Sequence, residues 1–442
     1  MSLPRYPAYK DSGVTWLGEV PGHWEVYAIK HIVSTPITDG PHETPNFPDE
    51  GIPFVSAEAV SSGKIDFAKI RGYISEADHL RYSEKYRPQV GDIYMVKSGA
   101  TTGVTAIVET DIEFNIWSPL AVIRCGREAL PRFVLNFMRS KNFQEAVILF
   151  WSFGTQQNIG MGVIENLSVT VPPVEEQQTI AAFLDRETGK IDALVAEQEK
   201  LIELLREKRQ AVISHAVTKG LNPKAKMRDS GIEWLGDVPE HWEVKRLKTI
   251  SPFIAVGIVV NPSEYVSEDG LPFIYGGDIT EGKIAFEASR RITDADSRRN
   301  EKTRLSAGDL LTVRVGAPGI TAVVPPECEG GNCASVMLVR KGGFNSQWLC
   351  YAMNDKTVRY QVEVVQYGAA QEQFNISHAV NFWIATPPNE EQSAIAVLLD
   401  REIAKLDALT AEAQRGIELL KERRNALISA AVTGKIDVRG KM

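Results

Sequence analysis

Asp278-Ile279-Thr280-Glu281-Gly282-Lys283 places two carboxylates and a lysine in an order that loosely matches a metal-dependent nuclease. Its counterpart in the first half of the chain, Ser61-Ser62-Gly63-Lys64, has neither acid, so the pattern reads as chance. Pro172-Pro173 and Pro387-Pro388 have the paired prolines of an adenine-methyltransferase Asn/Asp-Pro-Pro-Tyr site. Both pairs lack the polar residue before and the aromatic after, and suit a helix start instead. No GxxxxGK[ST] phosphate loop, no HExxH and no GxGxxG opening a βαβ unit is present. Four cysteines (Cys125, Cys328, Cys333, Cys350) form no CxxC pair, and seven histidines do not fall at metal-ligand spacing. The cysteines read as reduced packing residues. No catalytic residue and no metal site is expected, and the chain is expected to carry out no chemistry itself.

Binding chemistry is better represented. Lys64, Lys69, Arg71, Arg81, Lys85 and Arg87 form a loosely basic segment, and Arg290, Arg291, Arg298, Arg299, Lys302 and Arg304 form a denser one. Interleaved Asp66, Glu76, Asp78, Asp294 and Asp296 weaken both, and a solvated charged face is the plain alternative. Tyr82 and Tyr86 flank the first segment, where rings can stack, donate hydrogen bonds or simply be buried. The formal net charge of −8 argues against a protein that coats nucleic acid non-specifically. A local basic surface would still suffice for specific DNA binding.

The elements that position these residues come in duplicate. Pro172 to Thr218 returns 215 positions later as Pro387 to Thr433, with 29 of the 47 aligned pairs identical. Apolar residues recur at steps of three and four through Leu184, Ile191, Leu194, Leu201, Leu205 and Val212, and through Leu399, Leu406, Leu409, Leu420 and Leu427. That spacing predicts two long helices whose seams pair. Glu175 and Glu176 suit the positive end of the helix dipole, and Lys219-Gly220-Leu221-Asn222-Pro223 stops the first helix. A second repeat links Asp11–Lys30, with Trp-Leu-Gly-Glu-Val-Pro-Gly-His-Trp-Glu-Val, to Asp229–Lys248, with Trp-Leu-Gly-Asp-Val-Pro-Glu-His-Trp-Glu-Val. Trp16, Trp24, Trp234 and Trp242 are read as anchors, and His23 and His241 as structural.

Between these framework pieces lie two globular regions, about 26–171 and 244–386, rich in short β-type runs broken by Gly and Pro. They share only landmarks. Gly51-Ile52-Pro53-Phe54-Val55 answers Gly270-Leu271-Pro272-Phe273-Ile274. Gly91-Asp92-Ile93, leading to Lys97-Ser98-Gly99-Ala100, answers Gly308-Asp309-Leu310, leading to Arg314-Val315-Gly316-Ala317. Gly154-Thr155-Gln156-Gln157-Asn158-Ile159 is answered loosely by Gly368 to Ile376. A stiff framework with divergent globules implies one architecture carrying two specificities. At 442 residues, 43% hydrophobic and 24% charged, the composition is that of an ordinary soluble protein of two or three domains. No secretory leader and no bilayer-length apolar run is evident, so a cytoplasmic location is expected.

These motifs, in duplicate order and over essentially the whole chain, resemble the DNA specificity subunit of type I restriction-modification systems. The resemblance implies an α+β protein with a pseudo-twofold internal repeat: two target recognition domains of mixed α/β structure with short strands, separated by two long antiparallel coiled-coil helices. Its expected divisions are a first target recognition domain with its framework segment (1–171), a spacer helix (172–219), a second recognition domain (220–386), and a second helix with the tail (387–442). The implied partners are double-stranded DNA with a bipartite site, two methyltransferase subunits and two restriction subunits that translocate and cut. S-adenosylmethionine, ATP and magnesium are expected on those partners, with no cofactor on this chain. Under this reading Lys97, Arg314, Gln156 and Gln157 are the favoured base readers, because Arg or Lys suits guanine and Gln suits adenine. Lys64, Arg71, Arg81, Arg87, Arg290, Arg291, Arg298, Arg299 and Arg304 are further candidate DNA contacts. The second half departs from the pattern at Gly368-Ala369-Ala370-Gln371-Glu372-Gln373, where Gln371 is the remaining candidate. Two other classes stay open: a coiled-coil adaptor without DNA specificity, and a self-contained DNA nuclease or methyltransferase.

Overall fold

A Pro-Pro pair followed by Glu-Glu opens each of the two longest helices, Val174–Lys219 (46 residues) and Asn389–Val432 (44 residues). In the computed structural model, Pro173 O accepts from the amides of Glu176 and Gln177, and Pro388 O from that of Gln392. Both pairs thus work as helix starts. Residues 4–61, 63–153, 157–368 and 372–440 are described. Among them, no helix is long and apolar enough to cross a membrane. The chain divides into two units: Met1–Glu199 with Gln414–Met442, and Lys200–Ala413. Each holds one globule, the start of one long helix and the end of the other.

In the first unit a four-stranded antiparallel sheet runs in the order Thr38–Asp39, Leu120–Ile123, Ile93–Val96, Thr105–Ile107. A second sheet has Ile52–Val55 at its centre, antiparallel to Gly72–Ile74 and parallel to Asn115–Ile116. The second unit repeats both: Ile254–Val256, Met337–Val339, Leu310–Thr312, Thr321–Val323, and a sheet centred on Leu271–Ile274 between Arg290–Ile292 and Asn332–Cys333. The strands are short, and Ile93–Val96, Leu120–Ile123, Leu310–Thr312 and Met337–Val339 at the middle of the four-stranded sheets are buried on both faces. The shared Gly-Asp turn has a clear cause. Gly91 and Gly308 have φ of 94° and 90°, which glycine adopts without strain. The buried Asp92 then takes two bonds from Arg124 at 2.7 Å, and the buried Asp309 one from Arg340 at 2.6 Å.

The framework signature bolts onto the helix starts. Glu176, 6% exposed, accepts from Tyr6 Oη (2.6 Å), His23 Nε2 (2.8 Å) and Trp24 Nε1 (3.1 Å). Glu391 accepts from His241 Nε2 (2.9 Å) and Trp242 Nε1 (3.0 Å). Both histidines therefore hold structure. The next residue ties the helix to its globule: Gln177 accepts from Leu130 N, and Gln392 from Asn345 N.

Within the first unit, Ile180 and Leu184 share a core with Ile428, Ala431 and Val432, and Arg424 Nε meets Asp192 at 2.8 Å. The start of the first helix there runs beside the end of the second. Within the second unit, Ile213, Ala216 and Val217 share a core with Ile395, Leu399 and Ile403, and Arg209 Nε meets Asp407 at 3.4 Å.

The buried stripe differs in phase from the expected seam. Leu184, Ile191, Leu205, Leu399 and Leu406 are buried, and Leu420 and Leu427 are half-buried. Leu194, Leu201 and Leu409 are instead 46%, 41% and 49% exposed. Each lies one residue before the stripe, which passes through Val195, Ile202 and Thr410 and continues through Ile403, Ala413 and Ile417. Leucines occupy two neighbouring stripes at heptad spacing, so the period alone could not choose between them.

Candidate nucleic-acid interface

The strand-end cations favoured as base readers turn inward. Lys97, with a side chain only 13% exposed, meets Asp39 at 3.0 Å, and Lys85 meets the same carboxylate at 2.6 Å. Burial alone would raise the Asp39 pKa, but the two ammonium groups outweigh it and hold the carboxyl below its ordinary range. Arg314 donates from Nε to Phe374 O at 3.2 Å, and burial pushes its guanidinium pKa down. Both cations close a joint between two of the shared landmarks. In the first unit Ile159 N donates to Lys97 O (2.8 Å) and Gly99 N to Gln157 O (3.0 Å). In the second, Phe374 N donates to Arg314 O (3.2 Å) and Gly316 N to Glu372 O (3.0 Å). Gln157, half-buried, lies in the short hairpin Ser152–Phe153/Gln157–Asn158. Gln156 and Gln371 lie outside the described residues.

Most of the other cations meet carboxylates nearby. Arg81 pairs with Asp78 (2.6 Å) and Glu43 (2.7 Å), Arg87 with Glu113, and Lys69 with Asp66 (3.3 Å). Arg298 pairs with Asp294 (2.7 Å), Arg299 with Asp296 (3.1 Å), and Arg304 reaches Asp294 at 3.6 Å. Exposed pairs of this kind contribute little stability and partly neutralise both segments. Arg291 donates to Glu287 O at 3.2 Å, and Lys64 is exposed. Tyr86 is buried against Asp92 and Tyr94, which removes it as a stacking platform. Tyr82 donates to Glu43 at 2.8 Å.

Three of the candidate arginines lie over aromatic rings, and Arg81, 4.8 Å from the ring centroid of its neighbour Tyr82, is also held by Asp78 and Glu43. Arg71 lies 5.5 Å from the ring centroid of Trp117 and pairs with Glu58 at 3.1 Å. Arg290 lies 4.2 Å from that of Tyr275, and among the described residues no carboxylate lies within ion-pair distance of it. Trp117 and Tyr275 were not legible as partners in the sequence, since each meets an arginine from a separate segment.

The two carboxylates of the nuclease-like pattern are occupied structurally. Asp278 accepts from Tyr275 N at 2.8 Å and Glu281 pairs with Arg209 at 2.7 Å, so the nuclease-like spacing builds a turn and an ion pair. Burial pushes the thiols of Cys333 and Cys350 up to about 12 and that of Cys328 to about 11, unfavourable for thiolate chemistry. Among the described residues no cluster of three His, Cys, Asp or Glu is placed to hold a metal.

Residues 21–204 match the family model described as the type I restriction modification DNA specificity domain. Over these residues the chain is similar to that family. It is 25% identical to the MjaX type I restriction enzyme specificity subunit of Methanocaldococcus jannaschii, over 96% of each chain. It is 23% identical to the EcoKI specificity subunit of Escherichia coli, over 67% of this chain and 62% of that one. The likeness in fold extends through both units. A chain solved in work on type I R-M complex assembly and conformational transition superposes with a TM-score of 0.69 at 18% identity, covering 96% of this chain and 99% of that one. The HsdS subunit of Thermoanaerobacter tengcongensis gives 0.51 at 19% identity, covering 94% and 98%.

Proposed function

We propose that this chain gives a type I restriction-modification complex its bipartite DNA target and performs no chemistry itself. Each globule, within 1–171 and 220–386, reads one half-site, and the long helices within 172–219 and 387–442 set the unread spacer. The observation that carries this reading is the duplicated lock, Glu176 with His23 and Trp24 and Glu391 with His241 and Trp242, beneath surfaces built from unlike residues. A repeated framework under two different surfaces suits two different half-sites, with the spacing fixed by protein geometry.

Two methyltransferase subunits dock on the paired helices and each flips one adenine into its own pocket. S-adenosylmethionine is held by those subunits, and ATP and magnesium by two restriction subunits, in the cytoplasm. Leucines at equal positions of the two helices support a docking role: Leu194 and Leu409 are 46% and 49% exposed, and Leu204 and Leu419 are 52% and 65% exposed. Genome-wide mapping of N6-methyladenine with and without this gene tests the proposal. Loss of an asymmetric two-part motif is expected. An unchanged methylome with the partner genes expressed would favour an adaptor without DNA specificity.

A further inference from the structure

At one end of the small three-stranded sheet, both units build the same stack from residues that do not correspond in the repeat. The buried Phe54 packs against Trp117 with ring centroids 6.1 Å apart, and Arg71 lies over Trp117. The buried Phe273 packs against Tyr275 at 5.0 Å, and Arg290 lies over Tyr275. Trp117 follows the outer strand Asn115–Ile116, whereas Tyr275 follows the central strand Leu271–Ile274. The arginines are offset too. Gly72 stands opposite Phe54, but Arg290 stands opposite Phe273. Unlike the Glu-His-Trp lock, this arrangement is re-formed with different residues. What both units keep is an exposed guanidinium braced on an aromatic face.

The two stacks differ in their electrostatics. Arg71 is neutralised by Glu58, which also accepts from Ser56 Oγ at 2.5 Å. The equivalent position in the second unit, seven residues after its central-strand glycine, is Gly277, with open space where a side chain would stand. Arg290 therefore keeps its charge and its fork of donors uncommitted. Stacking fixes the guanidinium plane without using its N–H groups, so less freedom is lost when it meets a planar acceptor pair.

We propose that Arg290 reads a guanine in the half-site of the second unit, through paired N–H donors to the base's O6 and N7. The first unit offers an arginine–glutamate pair at the same place and reads a different base there. This inference rests on the specificity-subunit reading and narrows it to one residue.

The test maps methylated motifs made by the full chain assembled with its methyltransferase partner. Arg290→Ala is expected to make one guanine position degenerate, with roughly a ten- to hundredfold loss of discrimination and the other half-site unchanged. Arg290→Lys keeps the charge without the fork and is expected to give the same degeneracy, which guards against an alanine variant that fails to fold. An unchanged motif, whether methylation falls uniformly or stays the same, would overturn the proposal. The same degeneracy from Arg298→Ala, whose guanidinium is paired with Asp294, would overturn it as well. A wild-type complex that makes no two-part motif would instead sink the specificity reading itself.

Discussion

Glu176 shows how one buried carboxylate can hold a framework together. Its Tyr6 and Trp24 partners are 4% and 0% exposed, so removing the acceptor leaves donors without water or protein to satisfy them. Glu176→Ala is expected to cost on the order of 3 kcal/mol in denaturant unfolding, and Glu391→Ala about 1–2 kcal/mol. The difference follows from the pattern, since Glu391 serves two of these donors rather than three and its side chain is 24% exposed. Equal losses would contradict the account. Asp39 makes a pH prediction. Lys85 and Lys97 hold its folded pKa below the ordinary 3.8 despite the opposing effect of burial. A depressed acid contributes stability above its unfolded pKa and loses it as pH falls through the folded value. The stability gap between wild type and Asp39→Asn should be complete near neutrality and shrink below about pH 4. A gap that widened on acidification would refute it.

At the scale of elements, the two leucine stripes of the long helices have different fates. Leu184 and Leu399 are fully buried, and Leu184→Ala is expected to destabilise by about 2–5 kcal/mol. Leu194 and Leu409, about half exposed, bury little apolar area within the chain. Leu194→Glu with Leu409→Glu should leave the unfolding midpoint nearly unchanged while weakening co-purification with the methyltransferase subunit. Undiminished co-purification would remove these leucines from the docking surface. The helices and their starts were legible because capping chemistry and heptad spacing are local. Stripe phase was not, because adjacent stripes carry the same residue type.

For the whole molecule, the division of labour predicts modular specificity. Exchanging residues 26–171 for the matching region of another family member should change one half-site of the methylated motif and keep the other. A motif that stayed the same would show that the globules do not read DNA. Composition fits this arrangement: a chain of net charge −8 is a poor general polyanion binder, and most of its candidate DNA-contact cations are paired within each unit.

The sequence by itself determined the duplication, the helix boundaries to within a few residues, the structural role of His23 and His241, and the likeness to type I specificity subunits. Each depends on spacing along the chain or on identity between its halves. Only the tertiary structure decided which cations face outward. Lys97 and Arg314 look alike as exposed strand-end charges until Asp39 and the Phe374 carbonyl are brought to them from distant segments. Arg290 looked like one member of a basic run until the sheet placed it on Tyr275 and the repeat left Gly277 where Glu58 would have neutralised it. The charge a side chain presents depends on its neighbours in space, and for these residues the neighbours come from other strands.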